Sequence, residues 1–326
     1  MKQTLHLEGS PADVAAGAGR VMHAIQAPTS RVTVRIANRL FGEKTTPFEA
    51  PFLEATRTSF DAPLEPTDFL HDAEGARRSI NGWVSAHTDD HIIELIPGGA
   101  LSPSTRLVLA NAIYFRGDWA TQFEAARTAP AAFTTASGKT TMMPMMHAEY
   151  TARHVTEEAY SAVALPYVGG AVSMVFVLPT AVDGLPKVEA AFDAAALDAL
   201  VSRLSAKPVA LTIPKLDLSP PSLALASTLA ALGMPSAFQA GADFSGMATR
   251  GGVNLSEVFH EAVLQLDEKG TVAVAATAVQ SDLVTAVPAA PPPVPFVADH
   301  PFLFFLRDDA TGLILFAGRV DDPTAR

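Results

Sequence analysis

The chain has 326 residues, 48% of them apolar, no cysteine and a formal net charge of −11. That composition supports a sizeable core in one large domain or two small ones, and it excludes disulfides and thiolate-bound metal. It argues against nucleic acid or a heparin-like polyanion as partner, since those are held by clustered cations and the densest basic pair is Arg77-Arg78. No run of about 18 apolar residues is present to span a membrane. The first ten residues, MKQTLHLEGS, lack the apolar middle of a signal peptide.

Pro11 to Gln26 reads as a helix, capped by Ser10 with Pro11 at its first position. Val32 to Ile36 alternates like a half-buried strand. Thr46 and Pro47 open a second helix running to Ser59, and a third covers Asp72 to His87 with Ile80, Trp83 and Val84 on one face. Arg106 to Phe115 is nearly all apolar, as in a strand buried on both faces. Thr135 to Lys139 holds a Ser137-Gly138 turn between two strands, and Tyr160–Pro166 with Val172–Leu178 forms a hairpin across Gly169-Gly170. Leu185 to Leu204 is alanine-rich and helical. Val209 to Leu218 reads as a strand, with Pro214 expected at an edge or bulge because it has no N–H to donate. Ser222 to Leu232 reads as a helix ended by Gly233. Phe302–Leu306 and Leu313–Val320 close the chain as a hairpin. Strands and helices mix without regular alternation, which points to an α+β fold.

The stretch from His260 to Pro295 is ambiguous. Ala262 to Leu266 is strand-like, Glu268-Lys269-Gly270-Thr271 interrupts it, and small residues follow with Thr271, Ala273, Ala275 and Thr277 on one face at period 2. The prolines from Pro288 to Pro295 bar a central strand beyond. The segment therefore suits either an exposed loop or a strand. His87, His91 and Glu94 have a zinc-like spacing on a helix, but they lack the H-E-x-x-H form and read as a solvated face. There is no G-x-S-x-G, S-x-x-K or Walker loop, so nothing supports a hydrolase, and neither a cofactor nor a metal is expected.

Here the sequence resembles a known family. Asp267-Glu268-Lys269-Gly270-Thr271 followed by small residues is similar to the hinge of a serpin reactive-centre loop. Asn111 to Trp119 (NAIYFRGDW), Ala298 to Phe305, Ile80 to Val84 and Ile213-Pro214-Lys215 are similar to further serpin blocks, in family order along the whole chain. The resemblance implies one α+β serpin domain over residues 1–326, with a large mixed central sheet, smaller sheets, surrounding helices and a reactive-centre loop at 268–295. It implies a metastable suicide-substrate inhibitor of a serine or cysteine protease, which cleaves the loop, is held as a covalent acyl-enzyme and is trapped when the freed arm enters the sheet. A monomer is expected.

The family's spacing from Glu268 sets the reactive bond at Val284-Thr285, with Leu283 as runner-up; counting back from Pro301 lands near Ala290 instead. Val284 suits elastase-like or subtilisin-like proteases, Leu283 chymotrypsin-like ones. The hinge comprises Glu268, Lys269, Gly270, Thr271, Ala273, Ala275, Ala276 and Thr277. Asn111 and His260 are expected to share a hydrogen bond that holds the sheet closed, and Trp119 and Lys215 to lie where the loop first inserts, with Lys215 paired to Glu268. The alternatives are a non-inhibitory serpin that binds or chaperones, or an inactive truncated remnant. Serpins begin with two or three more helices, roughly 60 residues, and losing them would expose apolar sheet and remove partners of Asn111 and His260. The family resemblance favours an extracellular address, with a cytoplasmic one as the alternative.

Overall fold

The computed structural model describes residues 2–26, 32–60, 62–248, 253–271 and 292–324. Helix α1 is Pro11–Gln26; the Ser10 hydroxyl accepts from the Asp13 amide and the Asp13 carboxylate accepts from the Ser10 amide, a reciprocal cap. Strand β1 is Val32–Glu43, longer than its alternating start. Helix α2 is Ala50–Phe60, beginning after the expected Thr46 because Thr46 and Phe48 donate their amides into a turn closed on Glu43 and Thr46. Strand β2, Glu65–Thr67, precedes α3, Phe69–His87, whose cap Asp68 accepts from the His71 amide. Strand β3 is Leu107–Asp118.

After a 3₁₀ turn at Ala125–Arg127 come β4 (Ala129–Thr134), β5 (Thr140–Thr156), β6 (Tyr160–Pro166) and β7 (Val172–Pro179). The expected single helix from Leu185 is two, α4 (Leu185–Ala191) and α5 (Ala194–Arg203), because Asp193 is extended and its carboxylate caps Ala196. Strands β8 (Ser205–Pro214) and β9 (Leu216–Leu218) break at Lys215. Pro214 ends β8, a strand internal to its sheet; it pairs with Met145 of β5 and lies two residues past Thr212, the last residue in register with the later strand Val294–Val297, so on that side it faces no ladder partner. A short β10 (Leu223–Ala224) replaces the first turn of the helix expected from Ser222, and α6 is Ala226–Ala231. Gly233, at φ +112°, turns the chain away. Strands β11 (Glu257–Leu266), β12 (Gly270–Thr271), β13 (Val294–Val297), β14 (Phe302–Asp308) and β15 (Ile314–Val320) complete the order.

These elements gather into two compact units. The first holds α1, Thr33–Phe115 and Ser219–Val263. In it β11 runs parallel to β3, with Glu257 opposite Val108 and Val263 opposite Tyr114, and β1 and β2 extend the sheet on one side and β10 on the other. Ile80 and Val84 of α3 share one buried cluster with Val108, Ala110 and Ala112 of β3 and Phe259 and Val263 of β11. Each large side chain buried there contributes about 1.5–3 kcal/mol. The second unit holds Arg116–Leu218 and the chain from Leu264 onward. Its sheet has the order β13-β8-β5-β6-β7-β14-β15, with β4 on β5. Every residue of β7 is buried, and α4 and α5 cover that sheet through Leu185, Leu197 and Leu200.

Candidate functional site

Two clusters carry the residues singled out by the sequence. The first is the seam between β3 and β11, where Asn111 and His260 are direct partners in the parallel register. His260 Nδ1 stands 2.6 Å from Asn111 Oδ1, and the Asn111 amide reaches Asn38 Oδ1 of β1 at 3.5 Å. With the Asn111 oxygen as acceptor, His260 carries its proton on Nδ1. Burial lowers the His260 pKa and the bond to Asn111 works against that, so a neutral ring is favoured. Beside it, Glu261 is half-buried opposite Ala112, and burial pushes its carboxyl up to about 7. Neither Asn38 nor Glu261 was singled out from the sequence. No local pattern marks them, since Asn38 stands beside Arg39 and Glu261 beside His260 in strands with several polar positions.

The second cluster is the turn from β11 into β12. The Asp267 carboxylate accepts from the amides of Lys269 and Gly270 and rounds off the turn. Trp119, 2% exposed, holds this turn from one side: its indole donates to the Asp267 carbonyl at 3.0 Å and its amide to the Lys269 carbonyl at 2.7 Å. The Phe123 amide donates to the Glu268 carbonyl at 2.8 Å. Lys215 Nζ lies 2.9 Å from Glu268 Oε2, and the Thr128 hydroxyl donates to Oε1 at 2.7 Å. Burial raises the Glu268 pKa, but the bonds from Lys215 and Thr128 outweigh it and leave the carboxyl below its ordinary value.

Beyond the turn, Gly270 and Thr271 run antiparallel to β3, opposite Asp118 and Gly117, while Thr271 also pairs with Leu266 of β11. Gly270 has φ +151°, and a Cβ there would lie 2.0 Å from the Gly117 carbonyl oxygen, so only glycine fits. Thr271 is wholly buried, its hydroxyl 2.8 Å from the Tyr167 hydroxyl, and the Tyr167 ring stacks on Trp119 at 4.5 Å. Burial pushes the Tyr167 phenol up, so it stays protonated. Thr128 and Tyr167 were not foreseen; both lie far along the chain from the turn, and no local pattern marks them.

Ala273, Ala275, Ala276, Thr277, Leu283, Val284 and Thr285 lie outside the described residues. The chain resumes into β13, parallel to β8, with Val294 opposite Val209 and Phe296 buried. His87 ends α3 with Nδ1 against the Trp83 carbonyl, His91 stacks on Tyr114 at 4.2 Å, and Glu94 pairs with Arg77. Each is engaged separately, and among the described residues no group of three such side chains is placed to hold a metal.

A family model described as Serpin (serine protease inhibitor) matches residues 1–323. Serpin B8 of Bos taurus is 39% identical over 99% of this chain and 86% of its own length. The leukocyte elastase inhibitor of Xenopus tropicalis is 38% identical over 90% of this chain and 78% of its own. The crystal structure of human thyroxine-binding globulin complexed with thyroxine superposes with a TM-score of 0.89 at 28% identity, over 99% of this chain and 85% of that one. The comparisons lend no support to an extracellular address over a cytoplasmic one. Among the described residues no helix is long and apolar enough to cross a membrane. In fold and sequence alike the chain belongs to the serpin (serine protease inhibitor) family, and it is not an enzyme.

Proposed function

We propose that this chain is a single serpin domain over residues 1–326, with 268–295 as its reactive-centre loop, acting as a monomeric suicide-substrate inhibitor of a protease with a small apolar preference. The observation that carries this reading is β12. The first loop residues already stand antiparallel to both β3 and β11, the orientation an inserted strand needs. The protease nucleophile adds to the Val284 carbonyl carbon, the bond to the Thr285 nitrogen breaks, and the nucleophile's proton leaves on that amine. The freed arm then lengthens β12 between β3 and β11, and the tethered protease travels on the order of 50 Å, about 15 residues at 3.3 Å each.

The register of that insertion follows from β12. Six residues beyond Thr271 is Thr277; six before Gly117 is Asn111, and six before Leu266 is His260. Thr277 would therefore part the Asn111–His260 pair and offer each a hydroxyl, while the small residues ahead of it pass without overpacking. The leukocyte elastase inhibitor named above, by its name, acts on an elastase, and Val284 suits a similar shallow pocket. The test is to mix the protein with elastase and with subtilisin and look for an SDS-resistant covalent band. Clean loop cleavage without such a band would point to a non-inhibitory serpin instead.

A further inference from the structure

The Tyr167–Thr271 contact reaches beyond the hinge residues themselves. Thr271 is wholly buried, and a buried hydroxyl is costly unless something bonds it. Tyr167 supplies that bond from a rigid mount. Its ring lies flat on Trp119 with 20° between the planes, and its amide donates to the Val172 carbonyl at 3.0 Å. The next residue, Val168, donates its amide to the Asp118 carbonyl at 2.8 Å, tying the β6–β7 turn to the end of β3 where Thr271 pairs. The phenol is thus fixed relative to the strand it serves. Trp119 in turn holds the Asp267–Lys269 turn, so one stacked pair braces both sides of the hinge.

We propose that Tyr167 is a positioning residue for loop insertion, its hydroxyl latching Thr271 in the first inserted register so that the cleaved arm extends an existing pair and does not have to nucleate one. Its consequence for inhibition rests on the suicide-substrate reading; the latch itself does not. Arm insertion competes with hydrolysis of the acyl-enzyme. Unlatching adds a search step before insertion and sends more molecules down the cleavage route. The association step precedes insertion and is untouched.

The variants are Tyr167→Phe, which keeps the stack, Thr271→Val, which keeps the shape, Thr271→Ser, which keeps the hydroxyl, and the Phe/Val double. The first readout is amide hydrogen exchange of the hinge peptide 267–271 in the uncleaved protein. Loss of one hydrogen bond predicts exchange about five- to tenfold faster in Tyr167→Phe and in Thr271→Val, with Thr271→Ser within about twofold of the parent. The double variant exchanges no faster than the faster single, because both changes remove one contact. The second readout is the number of inhibitor molecules consumed per protease inactivated, which rises about two- to fivefold while the association rate stays within about twofold. Unchanged hinge exchange in Tyr167→Phe, or additive effects in the double, overturns the latch. A parent chain that is cleaved without forming a complex removes the proposed function, and the exchange comparison then still decides the latch.

Discussion

Lys215 Nζ and Glu268 Oε2 stand 2.9 Å apart, and this contact holds the turn between β11 and β12. The Glu268 side chain is 12% exposed and that of Lys215 is 39%, so the pair lies between a buried bridge and a surface one. Exposed pairs are worth about 0–1 kcal/mol, and a hydrogen bond to a charged group about 1.5–3.

Glu268→Gln is therefore expected to cost about 1 kcal/mol and to loosen the hinge peptide in hydrogen exchange, with Lys215→Ala costing less because Thr128 still holds the carboxylate. The pH dependence has a definite sign. The folded-state pKa lies below the ordinary 4.5, so the contribution is present above 4.5 and is lost as pH falls through the lowered value. Parent and Glu268→Gln should converge in stability on acidification below 4.5. Equal exchange of peptide 267–271 in the two at pH 7 would show that the pair does not hold the turn.

Gly270→Ala tests the pairing of β12 sterically. The added Cβ meets the Gly117 carbonyl oxygen at 2.0 Å, and the atom struck is backbone, which has no rotamer to swing aside. The φ of +151° adds strain for any L side chain. The expected result is expulsion of β12: full hydrogen exchange at 270–271, a hinge newly open to proteolysis and a destabilisation of about 2 kcal/mol. A variant with the parent's protection at 270–271 would mean that β12 does not form in solution.

His260 and Glu261 are sequence neighbours with opposite pH behaviour. Glu261 is raised to about 7, so the unfolded chain releases its proton first, and stability falls as pH climbs from 4.5 to 7. Glu261→Gln should raise stability at pH 8 by on the order of 1 kcal/mol, the full shift being discounted because the group is half exposed. His260 is lowered below 6.5, so the unfolded chain takes up the proton first and stability falls as pH drops under 6.5. His260→Gln flattens that acid limb and leaves the alkaline one. Melting curves between pH 5.5 and 8 separate the two, and a Glu261→Gln curve superposing on the parent at pH 8 would count against the seam carboxylate.

Legibility in the sequence followed the range over which each signal acts. Alternation and capping are local, and α1, β6, β7 and the closing hairpin lie where those signals put them. Competing local signals misled: Thr46-Pro47 looks like a helix start but makes a turn, and Asp193 splits what its alanine-rich surroundings join. Asn111 and His260 were paired through family resemblance alone, because 149 residues separate them and only the parallel register of β3 and β11 makes them partners. Tyr167 and Thr271 are 104 apart and no motif links them, so their contact was invisible before the fold existed. The same limit hid Thr128, whose neighbours say nothing of a carboxylate 140 residues on.

The decisive prediction concerns the cleaved arm. If β12 marks the path of insertion, cutting the loop at or near Val284 with a protease that is then removed should raise the melting midpoint by about 10 °C or more, equal to roughly 7 kcal/mol or more at this size. The register also names a residue that should abolish the gain. Ala275 is four beyond Thr271, which sets it opposite Ile113 of β3 and Ala262 of β11. Ala275→Arg would force a guanidinium into that row without a counter-charge, a cost of several kcal/mol. On the suicide-substrate reading residue 275 enters the sheet only after cleavage, so the melting of the uncleaved variant should match the parent. The expected pattern is equal midpoints before cleavage and a rise after it in the parent alone. A parent whose midpoint does not move on cleavage would show that the severed arm gains nothing from the sheet, and the trapping mechanism would fall with it.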